Sequence, residues 1–233
     1  MTLRELLDRP SVSASDVASH LASLDGETRV KEATDLARGQ QATLWRLGEK
    51  GEPLTAEDFV PAGTPELTPV PFWGQNNQPL FRPFRKVFYR TPDGSLAGYN
   101  ESSAAPLVGP GYYVLRFDDT GCYVDYTSLP TVAPKGWPPI VSNERGVSQF
   151  VYGFMKDYLR RVSGKLLIGR AYRRGKETPH HFVLVRPDLG SSRLSAISFQ
   201  LGASGARRVS VGGGGATVGR GPRLPAGRAR RGR

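Results

Sequence analysis

The sequence lacks several features on which functional classes depend. It contains a single cysteine, Cys122, which excludes an internal disulfide framework and a zinc site built from several cysteines. No stretch approaches the ~18 consecutive apolar residues of a membrane-spanning helix. The first residues include the acidic Glu5 and no apolar segment of the secretory type. From these absences we expect a cytoplasmic protein without a membrane partner.

Acidic residues are absent from the C-terminal part of the chain. The last one is Asp188, and residues 189–233 contain nine arginines and no lysine. The whole chain carries a formal charge of +11, whereas residues 1–188 hold 23 basic and 21 acidic side chains, a net +2. The charge therefore gives residues 1–188 no phosphate-binding character. We predict that 189–233 is a Gly/Arg-rich, largely disordered tail, which either associates with nucleic acid through charge or is an inert extension.

Hydrophobic spacing and proline content divide the remaining chain into three parts. Residues 1–50 are rich in alanine, and apolar residues such as Val17, Leu21 and Leu24 recur three and four positions apart, so they form a predicted N-terminal helical region. Residues 51–82 contain six prolines, which disfavour helices and central strands, so we expect a Pro-rich strap. Residues 83–188 form the predicted antiparallel α+β domain.

Residues 83–188 show three hairpin signals and one helical signal. The hairpins cover 84–100, 112–127 and 165–186, each with a glycine-containing turn. Apolar residues from Val147 to Val162 recur three and four positions apart, which predicts a long amphipathic helix. The predicted fold class is α+β, a curled antiparallel sheet of about six strands packed on that helix, with the small N-terminal helical region beside it. A closed barrel is the alternative, and the pattern does not choose between them.

Reactive residues occur without the spacing that chemistry requires. His180 and His181 are adjacent, so on a strand they point to opposite faces and do not chelate one ion together. Cys122 has no nucleophile signature around it and is typical of a small buried hydrophobe. We therefore predict no catalytic residue, no metal ligand and no cofactor, and the balance favours a non-enzymatic protein.

Aromatic residues are the most suggestive group. Thirteen of them fall between Phe72 and Trp137. Such density is typical of an apolar ligand pocket with hydroxyl anchors, and equally of the core of a small sheet. The candidate ligand-binding residues are Tyr99, Tyr112, Asp125, Tyr126 and Trp137.

Three alternatives for function follow. The first is a non-enzymatic domain that binds a small apolar or aromatic ligand on a curved sheet. The second is an interaction or accessory protein, in which the N-terminal helices and the strap meet a protein partner. The third is nucleic-acid association through the Arg-rich tail. Composition leaves the oligomeric state open.

Several short motifs occur in a characteristic order over residues 83–187. They include a Gly-Pro-Gly-Tyr strand at 109–112, a Trp-Pro loop at 137–138 and an Ile-Gly-Arg strand at 168–170. In this order they resemble a group of uncharacterised bacterial proteins with no assigned activity. The resemblance implies a discrete domain that ends near Asp188, and it assigns no site residue.

Overall fold

The structure is a computed structural model that describes residues 1–78, 83–102 and 105–187. Its centre is a closed antiparallel barrel in which each strand pairs with the next along the chain and the last pairs with the first. The strands are β1 (Val70–Asn76), β2 (Pro83–Arg90), β3 (Leu96–Glu101), β4 (Tyr113–Asp118), β5 (Gly121–Asp125), β6 (Met155–Ser163), β7 (Leu166–Arg173) and β8 (Lys176–Val185). Closure removes the unpaired strand edges that an open sheet would expose.

In the described residues, seven short α-helices surround the strands, and a 3-10 turn, Gly48–Lys50, follows the fourth. Four precede the barrel, one lies just before β1, and two lie in the connections β3–β4 and β5–β6. They are α1 (Leu3–Leu7), α2 (Ala14–Ser23), α3 (Gly26–Ala33), α4 (Arg38–Leu47), α5 (Ala56–Phe59), α6 (Ala105–Val108) and α7 (Ser148–Val151). Side-chain caps start several of them: Ser13 and Asp16 form a capping box at α2, and Asp25 accepts two backbone N–H groups at α3.

The barrel has one closed end and one open end. The turns β2–β3, β4–β5 and β6–β7 mark the closed end, where α5 places Phe59 against the inward rings of Phe72 and Phe88 at centroid distances of 6.1 and 4.9 Å. Phe59 is fully buried and fills this end. The open end carries α6, α7 and the β7–β8 turn. One half of the interior is therefore a packed core, as is usual for eight strands.

The N-terminal helices cover the outer face of β6, β7 and β8, and Trp73 of β1 joins the same apolar contact. Leu3, Leu21 and Leu44 are buried in one apolar cluster with Ile168 and Val183, whose side chains point outward from the barrel. Because residues alternate between the two faces, β8 buries Leu184 inside and Val183 outside. These strands are thus apolar on both faces.

The predicted curled sheet of about six strands on one long helix is wrong. The sheet has eight strands and is closed, although the three predicted hairpins are present as β2–β3, β4–β5 and β7–β8. One unforeseen strand, β1, lies in the Pro-rich segment 51–82. Pro71 fits there because β8 pairs with β1 only from Trp73 onward, so the missing N–H of Pro71 interrupts no bond to β8.

The other unforeseen strand, β6, occupies most of the predicted helix. Only Ser148–Val151 is helical, and Phe154, with φ of 57°, reverses the chain before β6 begins. Along β6, Asp157 and Leu159 face the interior while Val162 packs under the N-terminal helices. Along this strand Met155 and Leu159 are on the inner face and Tyr158 and Val162 on the outer face, so apolar residues occur at odd and even positions and imitate a helical stripe.

The predicted tail, residues 189–233, and its disorder lie outside the described residues, as does any contact of its arginines with nucleic acid. None of the described helices has the length and apolar composition needed to cross a bilayer.

A histidine beneath the N-terminal helices gives the fold a testable pH dependence. His181 is 8% exposed, its ring lies 5.9 Å from that of Trp45 on α4, and neither ring nitrogen has a hydrogen-bond partner among the described residues. The pKa of His181 is lowered to about 4, mainly by burial. The positive charges of Arg170 and Arg38 and the neighbouring His180 lower this pKa further, whereas the charge of Glu177 raises it.

Because this pKa lies below its ordinary value, neutral His181 gives full stability above about pH 6.5, and stability falls as the pH drops towards the folded-state pKa. We expect the free energy of unfolding to fall by roughly 1–2 kcal/mol between about pH 7 and about pH 4.5 through this residue. Urea unfolding of the wild type and of His181→Phe at both pH values measures it. An equal pH dependence in the two proteins would show that His181 is not responsible.

Candidate functional site

The open end of the barrel contains a cavity of about 190 Å³. Its wall is formed by residues near the ends of β1, β2, β3, β6, β7 and β8, by Tyr126 just after β5, and by residues of α6 and α7. The apolar part consists of Phe84, Val108, Tyr126, Val151, Tyr152, Met155, Ala171 and Phe182. The polar part consists of Asn76, Gln78, Lys86, Asn100, Ser102, Asp157, His180 and His181. Apolar atoms nevertheless make up most of the wall surface.

A buried hydrogen-bond network forms the floor of the cavity. Lys86 Nζ lies 3.1 Å from Asp157 Oδ2, donates to Asn100 Oδ1 at 3.0 Å and also donates to the Tyr126 hydroxyl. The Tyr126 hydroxyl donates to Asp157 Oδ2 at 3.1 Å and accepts from Asn100 Nδ2 at 2.9 Å. All three ammonium protons of Lys86 therefore have protein acceptors.

One atom of this network is left over. Asp157 Oδ1 is buried and has no hydrogen-bond partner in the part of the chain that the structure describes. The side chains of Lys86 and Asp157 are 2% and 5% exposed, so bulk water does not substitute for a partner. A buried carboxylate oxygen without a donor is destabilising, and such atoms are rare in native structures. An unused acceptor thus lies at the floor of the cavity, covered by the side chains around it.

The surroundings of Lys86 are otherwise apolar and aromatic. Its ammonium nitrogen lies 4.9 Å from the ring centre of Tyr126, 5.0 Å from that of Tyr113 and 5.2 Å from that of Phe182. Burial lowers the pKa of Lys86, while the charge of Asp157 raises it. The pair and the rings together hold the cation where water does not reach it.

Aromatic rings form two walls above the floor. Tyr126 and Tyr152 stack with centroids 5.2 Å apart and an interplanar angle of 22°, and burial raises the pKa of Tyr152 to about 12. Phe84 and Phe182 meet edge to face at 5.9 Å. The Phe182 ring lies directly over Gly169, where a Cβ would overlap it, so that glycine sets the position of this wall.

The five predicted ligand residues fall in three places. Tyr126 belongs to the cavity floor. Tyr99, Tyr112 and Trp137 form an aromatic cluster on the outer face of the barrel, with Tyr99 and Trp137 centroids 4.3 Å apart and the Tyr112 hydroxyl donating to the Pro138 carbonyl. Asp125 accepts from Thr127 and Ser128 and shapes the turn after β5. The structure therefore brings one of the five to the cavity.

Sequence reasoning missed Lys86, Asn100 and Asp157. Lys86 follows the alternation of Phe84 and Phe88, which marks it as inward, and this signal was available. Asp157 lies within the helix that the spacing predicts from Val147 to Val162, and it faces the interior because this part of the chain is the strand β6.

A larger groove of about 530 Å³ lies outside the barrel near its closed end. The guanidinium of Arg160 lies 3.8 Å from the Trp45 ring, and Arg161 pairs with Asp58 at 2.5 Å. Cys122 borders the groove, and burial raises the pKa of its thiol. Because both cations have protein partners and the thiol stays protonated, this groove is a weaker candidate than the cavity.

The chain matches no protein-family model, no curated protein and no solved structure. Within the described ranges, no three His, Cys, Asp or Glu side chains converge as a metal site would require. The geometry of the cavity is therefore the basis on which a function is proposed.

Proposed function

We propose that the barrel binds a small aromatic molecule that carries one hydrogen-bond donor. The observation that carries the proposal is the unpartnered Oδ1 of Asp157 in a cavity whose wall is mostly apolar. A ligand that buries its ring between the aromatic walls, and donates to this oxygen after a small shift of the side chains that cover it, satisfies both features.

The volume limits the size of the ligand. An apolar cavity of about 150 Å³ in another protein takes up benzene, and the cavity here measures about 190 Å³. One ring, or two fused rings, matches that space, whereas a long acyl chain does not. The stacked pair Tyr126 and Tyr152 offers a flat surface to such a ring.

The charges on the floor select the polarity of the ligand. The three N–H groups of Lys86 already donate to Asn100, Tyr126 and Asp157, so none is free to donate to a ligand carboxylate. The carboxylate of Asp157 would also repel an anionic ligand, and no free cation at the floor would offset that repulsion. A neutral ligand with an N–H or O–H group is therefore preferred over an acid.

Calorimetric titration with indole and with benzofuran tests the proposal. The two probes share their shape, but only indole has an N–H donor, and we expect indole to bind about tenfold more tightly because it satisfies the buried acceptor. Equal affinities would show that Asp157 does not accept a hydrogen bond from the ligand. Failure of both probes to bind would contradict the proposed function.

A cavity-filling variant gives the matched comparison. Ala171 lines the cavity, so Ala171→Leu is expected to abolish indole binding while the barrel remains folded. The same change at Ala22, an exposed position on α2, should leave the affinity unchanged. Retained binding in Ala171→Leu would place the ligand elsewhere.

A further inference from the structure

The open end of the barrel carries an exposed apolar surface. Its side chains, which we call the mouth rim, are Leu107, Val147, Phe150, Val151 and Phe154. Phe150 is 77% exposed and Leu107 is 68% exposed. The rim contains five of the nine large hydrophobic side chains that are exposed in the described residues. Single exposed apolar residues are ordinary, but such clustering indicates an interaction surface.

The backbone holds the mouth rim outward. The hydroxyl of Ser148 at the start of α7 donates to the Val108 carbonyl of α6 at 2.5 Å, which ties the two helices together. Arg173 Nη2 donates to the carbonyls of Phe150 and Val151 at 2.9 and 3.0 Å. Phe154 has a positive φ of 57°, a conformation that side chains other than glycine adopt rarely. The backbone that carries the rim side chains is thus held in place above the cavity.

Basic residues accompany the rim. Arg145 and Lys156 lie next to it in the chain, Arg173 reaches it through the carbonyls of Phe150 and Val151, and the guanidinium of Arg174 lies 4.8 Å from the Phe154 ring. The exposed acidic residues described at this end include Glu144 and Glu177, and Glu177 is paired with Arg170 at 2.8 Å. The surface therefore combines protruding aromatic and aliphatic groups with positive charge.

We propose that the mouth rim docks on an anionic lipid surface, with Phe150 and Leu107 inserted among the acyl chains and the basic residues at the phosphate level. This combination is the one by which peripheral proteins bind the interface of anionic membranes. Charge disfavours two other occupants. A second copy would present the same basic rim, and the C-terminal segment 189–233 carries nine arginines and no acid.

This docking differs from the sequence-based expectation of no membrane partner, which rested on the absence of a spanning segment. A rim that lies in the interface needs no such segment. Docking stands independently of the proposed ligand, but it places the cavity entrance at the reservoir into which a small aromatic molecule partitions.

The test must separate the rim from the basic C-terminal segment, which attracts anionic vesicles by itself. Cys122 is buried, so an environment-sensitive fluorophore can be attached selectively at Phe150→Cys in the full chain. The matched control is Leu129→Cys, where the native side chain is 37% exposed and lies outside the rim. The probes are vesicles of phosphatidylcholine alone and vesicles of phosphatidylcholine with phosphatidylserine.

We expect the emission of the fluorophore at position 150 to shift to the blue only with vesicles that contain phosphatidylserine. The emission of the fluorophore at position 129 should remain that of a probe in water. Arg145→Glu with Arg174→Glu should weaken this response about tenfold or more, whereas Arg46→Glu on α4 should weaken it far less. Co-sedimentation with the fluorophore at 150 still in water would assign binding to the C-terminal segment and overturn the proposal. Absence of any vesicle binding would overturn it as well, and indole titration would still report on the cavity.

Discussion

Replacing Lys86 by methionine is expected to lower the free energy of unfolding by about 3–5 kcal/mol, because it leaves the carboxylate of Asp157 buried without its cation. The two groups are 3.1 Å apart, and their side chains are 2% and 5% exposed. Tyr126 continues to donate to Asp157 Oδ2, but one neutral hydrogen bond does not replace an ion pair. Urea unfolding at neutral pH measures the loss.

The double variant Lys86→Met with Asp157→Leu separates stability from function. Replacing a whole buried ion pair by apolar side chains of similar size is often neutral or stabilising. We therefore expect the double variant to recover most of the stability that Lys86→Met loses. Its affinities for benzofuran and for indole should be equal, because the acceptor that favours the N–H group is gone.

Two results would contradict this interpretation. A loss below about 1 kcal/mol in Lys86→Met would show that Asp157 finds another partner or takes up a proton. An unchanged preference for indole in the double variant would show that the ligand donates to some other acceptor. Lys86→Arg is not a useful control, since the larger guanidinium does not fit among the rings around Lys86 Nζ.

The sequence predicts the local parts of this fold and not their closure. Each hairpin has its turn signal within a few residues, as at Thr91–Gly94 between β2 and β3, so pairing of neighbouring strands follows from local pattern. Closure depends on the pairing of Trp73 with Val185, which are more than a hundred positions apart. No local pattern encodes that contact, and the prolines around β1 argue against a strand.

The same limit applies to the candidate site. The aromatic density between Phe72 and Trp137 correctly indicates where large side chains collect, yet alternation decides which of them share a space. Tyr112 and Tyr113 are neighbours, but Tyr112 lies on the outer face and Tyr113 in the interior core. The floor joins Lys86, Asn100 and Asp157 from β2, β3 and β6, and only the barrel register brings them together.

The closed end gives the second large effect. Phe59→Ala is expected to lower the free energy of unfolding by about 3–5 kcal/mol, because the ring is fully buried and truncation leaves a cavity among aromatic neighbours. Its centroid lies 4.9 Å from that of Phe88 and 6.1 Å from that of Phe72. The salt bridge between Asp58 and Arg161 holds the short helix α5 on the barrel, so the structure collapses only partly around the gap.

The matched control for Phe59→Ala is Phe117→Ala, which removes a ring from the same cluster. Phe117 is 44% exposed, with its centroid 6.3 Å from that of Phe59, so its loss should cost no more than about 1 kcal/mol. Urea unfolding compares the two variants. Equal losses would mean that α5 does not close the barrel.

Because the ligand cavity lies at the opposite end, Phe59→Ala should keep the indole affinity of the wild type under conditions where it is folded, whereas the Lys86 and Asp157 variants change that affinity. Stability of the closed end and recognition at the open end are thus carried by different residues of one barrel.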